Sequence, residues 1–166
     1  MTQAYTTVSD ADDYFATRFA ANRWLAANPD DKLRALTTAT QIINRLNFVG
    51  LKAAAYVVKR AGGTKAEIRA AGNTQENQFP RNDDTEVPVE IEQACCEIAY
   101  ALISGIDPDK ELRSLATASE SIGPLGLKVT YDRTRAAEWI MAGVPSPTAW
   151  QLLQPYLRDL SAISIL

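Results

Sequence analysis

The chain contains no histidine, and that absence excludes much chemistry. Ser-His-Asp and Cys-His catalysis need an imidazole base, and the common zinc sites use imidazole ligands. Cysteine is scarce as well: Cys95 and Cys96 are the two in 166 residues. Adjacent side chains on a helix point about 100° apart, so this pair suits neither a disulfide nor a joint metal site. A small buried hydrophobe is the expected role for at least one of them. Long apolar runs are missing too; no stretch approaches the roughly 20 residues of a membrane helix. The opening MTQAYTTVSDADD has neither the basic start nor the apolar run of a secretory signal, so synthesis in the cytosol and no membrane partner are expected.

Recognisable ligand loops are also lacking. AGGTK, residues 61–65, ends like a phosphate loop but lacks its first glycine and the lysine directly after the second. DADDYF lacks the glycine and glutamate of a calcium loop, and GPLG reads as a turn. The acid pairs Asp30-Asp31 and Asp83-Asp84 are neighbours at a helix start and in a loop, where capping explains them. The expectation is a protein that is not an enzyme, with no cofactor and no metal.

What is present is ordinary for a soluble globular chain: 46% hydrophobic and 22% charged residues. One domain spanning 1–166 is expected. The net charge of −3 argues against a dedicated nucleic-acid binder. The charge is nevertheless patchy. Lys52, Lys59, Arg60, Lys65 and Arg69 stand against Glu67, whereas residues 76–97 carry acids and only Arg81. Such blocks are solvated faces, or complementary surfaces on neighbouring copies or partners.

The periodicity predicts a mainly α fold. A first helix is placed at about 9–21, with Ser9 as cap and Ala11, Phe15, Arg18 and Phe19 on or near one side. A second starts at Asn28-Pro29, with Asp30 and Asp31 in its first turn. Its row of Leu33, Leu36, Thr40, Ile43 and Asn47 runs to about 47. Residues 51–78 read as an arm or long loop with helical turns, broken at Gly62-Gly63. A core helix follows over about 88–104, with Val87, Ile91, Cys95, Ile98 and Leu102 on its apolar face. Two short strands at about 117–122 and 127–131 would form a hairpin. A short helix is possible at 134–141, and a last one starts at Ser146-Pro147. The tail, about 159–166, is apolar. The fold class is thus a small helical bundle of about four main helices with a short β-hairpin, a long arm and an extended C-terminal tail.

Phe79-Pro80-Arg81 stands just before the core helix. Proline fixes the backbone there, and Phe79 can plug the core. Arg81 can then offer a fork of donors to a carboxylate on this or another chain.

The order of these features resembles a known family, the phage head-tail connector (adaptor) proteins, also labelled DnaT-like single-stranded-DNA-binding proteins. The residues that carry the resemblance are Tyr5 to Phe15, Trp24, Lys32 to Leu46 with Asn47-Phe48-Val49-Gly50, the Phe79-Pro80-Arg81 clip, and Val87-Pro88 with Ile91, Ala94 and Glu97. Ser119 to Tyr131 and Leu152 to Leu157 complete the set. Asn82-Asp83-Asp84 departs from the family's small turn after the clip, and residues 51–78 are longer than its usual arm.

The resemblance implies a non-catalytic virion neck protein, made in the host cytoplasm. It would form a ring of about twelve copies through a head-to-tail interface. Its partners would be the portal protein and a downstream neck or tail protein, with genomic DNA passing through the lumen without specific binding. Lys52, Lys59, Arg60, Arg81, Asp83, Asp84 and Glu86 are the candidate subunit contacts. Leu160, Ile163, Ile165 and Leu166 are the candidate portal-docking tail. The rival expectation is a single-stranded-DNA-binding replication accessory protein, which needs stacking aromatics in a basic groove. Tyr56 among Lys52, Lys59, Arg60, Lys65 and Arg69 is the set that could supply it.

Overall fold

A computed structural model describes residues 3–114, 119–122, 127–130 and 137–158. The fold is mainly helical. The described residues hold nine α-helices rather than about four main ones. They are α1 (Val8–Thr17), α2 (Asn22–Ala26), α3 (Pro29–Asn44), α4 (Ala53–Arg60), α5 (Lys65–Thr74), α6 (Val89–Ile103), α7 (Pro108–Ser114), α8 (Glu138–Met141) and α9 (Pro147–Leu153). A 3-10 turn, Gln154–Tyr156, follows α9 and places Pro155 where no α-helical donor is needed. β1 (Ser119–Ile122) and β2 (Leu127–Thr130) pair antiparallel, with Ser119 opposite Thr130 and Ile122 opposite Leu127.

The centre is α6. Ile91, Ala94, Cys95, Ile98 and Ala99 are fully buried, and Cys96 and Glu97 nearly so. A helix apolar on most sides must be covered on most sides. Here α3 and α9 flank it, and α1 and α2 close the remaining face. Both cysteines are free and buried. Burial pushes the Cys95 thiol up to about 11 and raises Cys96 further, so neither is a ready nucleophile.

The start of α3 follows from local chemistry: the Asn28 side chain accepts from Asp31 N at 2.8 Å and Pro29 opens the helix. Leu36, Thr40 and Ile43 are buried on its inner row, but Leu33 is 54% exposed. The inner face is completed instead by Ala35, Ala39 and Ile42. The first helix differs more from expectation. Its cap is Thr7, whose hydroxyl accepts from Asp10 N, and it stops at Thr17. Ala20 adopts φ +60, a conformation L residues rarely hold, and the chain restarts as α2. This break turns Trp24 inward against Phe15, ring centroids 4.7 Å apart. Residues 51–78, read as an arm or long loop, carry the two helices α4 and α5.

Two polar locks hold the outer helices in place, the first on α6. Glu97 is 3% exposed and takes Arg18 on both oxygens, Nε at 2.5 Å and Nη2 at 2.9 Å. Tyr14 also donates to it at 2.8 Å. Asp12 accepts from Trp24 Nε1 at 2.7 Å and from Lys32 Nζ at 2.8 Å, tying α1 to α2 and α3. Lys32 chiefly, and then the Trp24 donor, hold the Asp12 carboxyl below the usual aspartate range.

Removing the first lock leaves Arg18 and Tyr14 without their shared acceptor. Glu97→Ala should cost about 2–3 kcal/mol, the scale of hydrogen bonds to a charged group. Urea unfolding measures it. For the second lock, the folded state binds the Asp12 proton less tightly than the unfolded state. Its stabilisation is therefore complete above the ordinary aspartate range and lost as pH falls through the depressed value. Urea midpoints followed into acid should fall less steeply for Asp12→Asn than for the wild type.

Candidate interaction surface of the helical hairpin

Helices α4 and α5 pack mainly on each other. They are joined by Ala61-Gly62-Gly63, where Gly62 takes φ +80. Thr64 then caps α5: its hydroxyl accepts from Glu67 N, while the Glu67 carboxylate accepts from Thr64 N at 2.7 Å. No residue of α5 is buried, and Ala55 is the one buried residue of α4. The hairpin therefore stands out from the core.

Its root is a dense polar knot. Ala53 N donates to the Pro80 carbonyl at 3.0 Å and Asn82 N to the Leu51 carbonyl at 2.8 Å, so Lys52 and Arg81 sit opposite each other as in a strand pair. The Gln75 side chain accepts from Ala54 N and donates to the Asn77 and Pro80 carbonyls. Lys52 Nζ donates to the Gln75 carbonyl at 2.7 Å. Burial, and then the charge of Arg81, lowers the proton affinity of Lys52.

Arg81 stands at the middle of the knot and is 7% exposed. Nε donates to Val49 O at 2.9 Å, and Nη2 to Gly50 O at 2.7 Å and Phe48 O at 3.4 Å. Nη1 donates to the Gln78 side chain at 2.8 Å and its carbonyl at 3.2 Å. The fork is spent on carbonyls of its own chain, because residues 48–50 leave α3 with no helical partners for them. Arg81 thus braces the fold from within rather than offering its donors to a neighbouring subunit. Beside it, Phe79 is 2% exposed and meets Phe48, Tyr156 and Tyr5 edge-on at 4.8, 5.6 and 6.1 Å. The Phe79–Pro80 peptide is cis. Tyr5 closes the knot: its hydroxyl meets Asn44 at 2.5 Å and accepts from Gln78 N at 3.0 Å, and burial pushes it up to about 12.

The other candidate residues lie outside this knot. Lys59, Arg60, Lys65 and Arg69 are exposed along the hairpin, and Asp83, Asp84 and Glu86 are exposed on the turn before α6. The two charge blocks meet within one subunit. Tyr56, Val57, Arg60 and Ala61 form one wall of a groove of about 460 Å³, and Asp83 and Asp84 lie on the other. Lys52 does not join the exposed bases. Leu160, Ile163, Ile165 and Leu166 lie outside the described residues.

Sequence reasoning missed two things. Gly50 takes φ +83, and a Cβ there would stand 2.2 Å from Asn82 Oδ1, which itself accepts from Leu51 N. The glycine in Phe48-Val49-Gly50 was visible, but the close approach of Asn82 was not. Phe19 is the other. The periodicity puts it on or near one side of the first helix with Phe15, whereas it is 96% exposed beyond the helix end. The early stop of α1 had no warning in glycine or proline.

Arg81→Lys should cost about 2–4 kcal/mol, since an ammonium cannot reach both sides of the fork. Gly50→Ala should also destabilise by about 1–3 kcal/mol through strain plus a clash. Chemical denaturation checks both, and amide exchange should show the α4–α5 root opening first.

Residues 2–165 match the family described as "Putative DnaT-like ssDNA binding protein". No curated protein and no solved structure matches. With nearly its whole length matched, the chain belongs to the putative DnaT-like ssDNA-binding protein family.

Proposed function

We propose that this chain works by shape and contact, as a non-catalytic adaptor that assembles into a ring at a phage head-tail neck, between the portal and the next neck or tail protein. The observation that carries this reading is the α4–α5 hairpin. It packs mainly on itself, is rooted by Arg81 and Gln75, and displays Lys59, Arg60, Lys65 and Arg69 outward. An element braced that firmly yet unburied gains its packing from another molecule. A ring of about twelve copies would use two different patches of each subunit, which unequal charge blocks suit.

The family description favours a second reading, single-stranded-DNA binding. The basic face of the hairpin with Tyr56 is the feature that would serve it. Two details weaken that set: Lys52 is engaged by Gln75, and Tyr56 and Arg60 share their groove with Asp83 and Asp84.

Two measurements separate the readings. In negative-stain images and native mass spectra, the protein should form closed rings at high concentration or on adding portal protein. The double variant Lys59→Glu/Arg60→Glu should assemble at least tenfold less readily while keeping its circular-dichroism spectrum. Tight, salt-sensitive binding of oligothymidylate by a protein that stays monomeric would overturn the adaptor reading and support the DNA-binding one.

A further inference from the structure

Phe19 is the most exposed large apolar side chain among the described residues, 96% accessible. Yet it is not on a loose loop. On one side Arg18 is clamped by Glu97. On the other, the Ala20 carbonyl accepts from the Tyr100 hydroxyl at 2.7 Å, and Ala21 is buried. Between them Ala20 is held at φ +60, a conformation that costs free energy in a residue with a side chain. The turn is thus fixed in a shape that points an aromatic ring into solvent. Such pre-organisation lowers the entropy lost on binding and is what a contact residue needs.

A receptor of the right kind exists on the same molecule, at the far end of α6. The groove between α4 and the 82–85 turn has an apolar wall of Tyr56, Val57 and Ala61, and Val57 is 65% exposed. Asp83 and Asp84 stand on its other wall, with no ion pair to either among the described residues. Arg60 lines it too, on the α4 side. Phe19 has basic neighbours, Arg23 exposed and Arg18 partly so. An aromatic knob beside the exposed Arg23 complements an apolar groove walled by aspartates. The knob is fixed near Tyr100 and the groove precedes Val89, so the stretch of α6 between them separates them by about 17 Å at 1.5 Å per residue. One subunit therefore cannot fill its own groove, and the contact repeats head to tail from copy to copy.

We propose that Phe19 of one copy seats in the Tyr56–Val57–Ala61 groove of the next, with Arg23 facing the aspartate wall. This rests on the ring reading above, for which it names the repeating contact.

The test is disulfide trapping between two singly substituted proteins, Phe19→Cys and Val57→Cys, mixed under the conditions where the wild type assembles and then oxidised. Both native thiols are buried and do not compete. A mixed 19–57 disulfide, identified by peptide mass spectrometry and far in excess of 19–19 and 57–57 links, is the expected result. Phe19→Ala should weaken assembly at least tenfold with an unchanged melting temperature, since the side chain is exposed. If the wild type assembles but no 19–57 link forms and Phe19→Ala assembles normally, the groove contact is overturned and the ring reading stands. If the wild type stays monomeric at high concentration and with portal protein, both are overturned. Loss of oligonucleotide binding in Phe19→Ala without loss of assembly also overturns the contact, and makes Phe19 a base-stacking residue.

Discussion

One guanidinium holds the outer half of this fold to its inner half. Residues 48–50 run from the end of α3 toward the hairpin with their carbonyls pointing away from any helix, and Arg81 collects all three. A carbonyl left unmet away from water costs about 1–3 kcal/mol, and Phe48 is the buried residue of the three. Among the described residues it is Arg81 that reaches three successive carbonyls and still has a nitrogen for Gln78. Because Arg81 also pairs through its backbone neighbours with Lys52, the same residue sets where α4 begins. Leu157 and Tyr156 meet this region too, through the Phe48–Leu157 bridge and the bond from Val49 N to Tyr156 O. The C-terminal turn, the hairpin root and the α3 exit thus depend on one buried cation. Burial lowers its proton affinity, as expected of a charge surrounded by dipoles and no carboxylate.

The parts of this architecture legible in the sequence are those set by local chemistry. Asn28-Pro29-Asp30-Asp31 specifies a helix start without reference to the rest of the chain, and Ser146-Pro147 does the same for α9. The repeat of Ile91, Cys95 and Ile98 marks α6 as a core helix because periodicity survives any tertiary setting. What could not be read are features decided by contacts distant in the chain. The stop of α1 comes from the claims of Glu97 on Arg18 and of Tyr100 on Ala20, about 80 residues away. The hairpin was underestimated for the opposite reason. Its helices are short, eight and ten residues, and helices of that length form only when capped and paired. The capping box at Thr64 and Glu67 was present as letters, but its neighbours gave no buried face to confirm it.

The candidate surface was legible as charge and illegible as geometry. Composition places bases over 52–69 and acids from 83 onward, and both are exposed for the most part. Only the fold brings Arg60 and Asp84 to one groove, because the strand-like pairing of Lys52 with Arg81 runs the two segments side by side. The same pairing removes Lys52 and Arg81 from the surface inventory.

That juxtaposition bears on what kind of partner the surface suits. A single strand of nucleic acid presents phosphates of one sign at every step, and a groove that tracks it must stay positive along its length. Here the sign reverses across one cleft, with Arg60 on one wall and Asp83 and Asp84 on the other. A phosphate near Arg60 therefore also meets the Asp83 and Asp84 field, and part of its attraction is cancelled. A protein surface has no such constraint, since it can place an arginine opposite the aspartates and an apolar side chain on Val57. The reversal of sign that weakens a polyanion site makes a protein contact more selective, because a partner docked in the wrong register meets like charge. The exposed tip of α5, carrying Lys65 and Arg69 with only the helix-capping Glu67 among them, is the one part of the hairpin where this cancellation fades, and any residual attraction for nucleic acid would reside there.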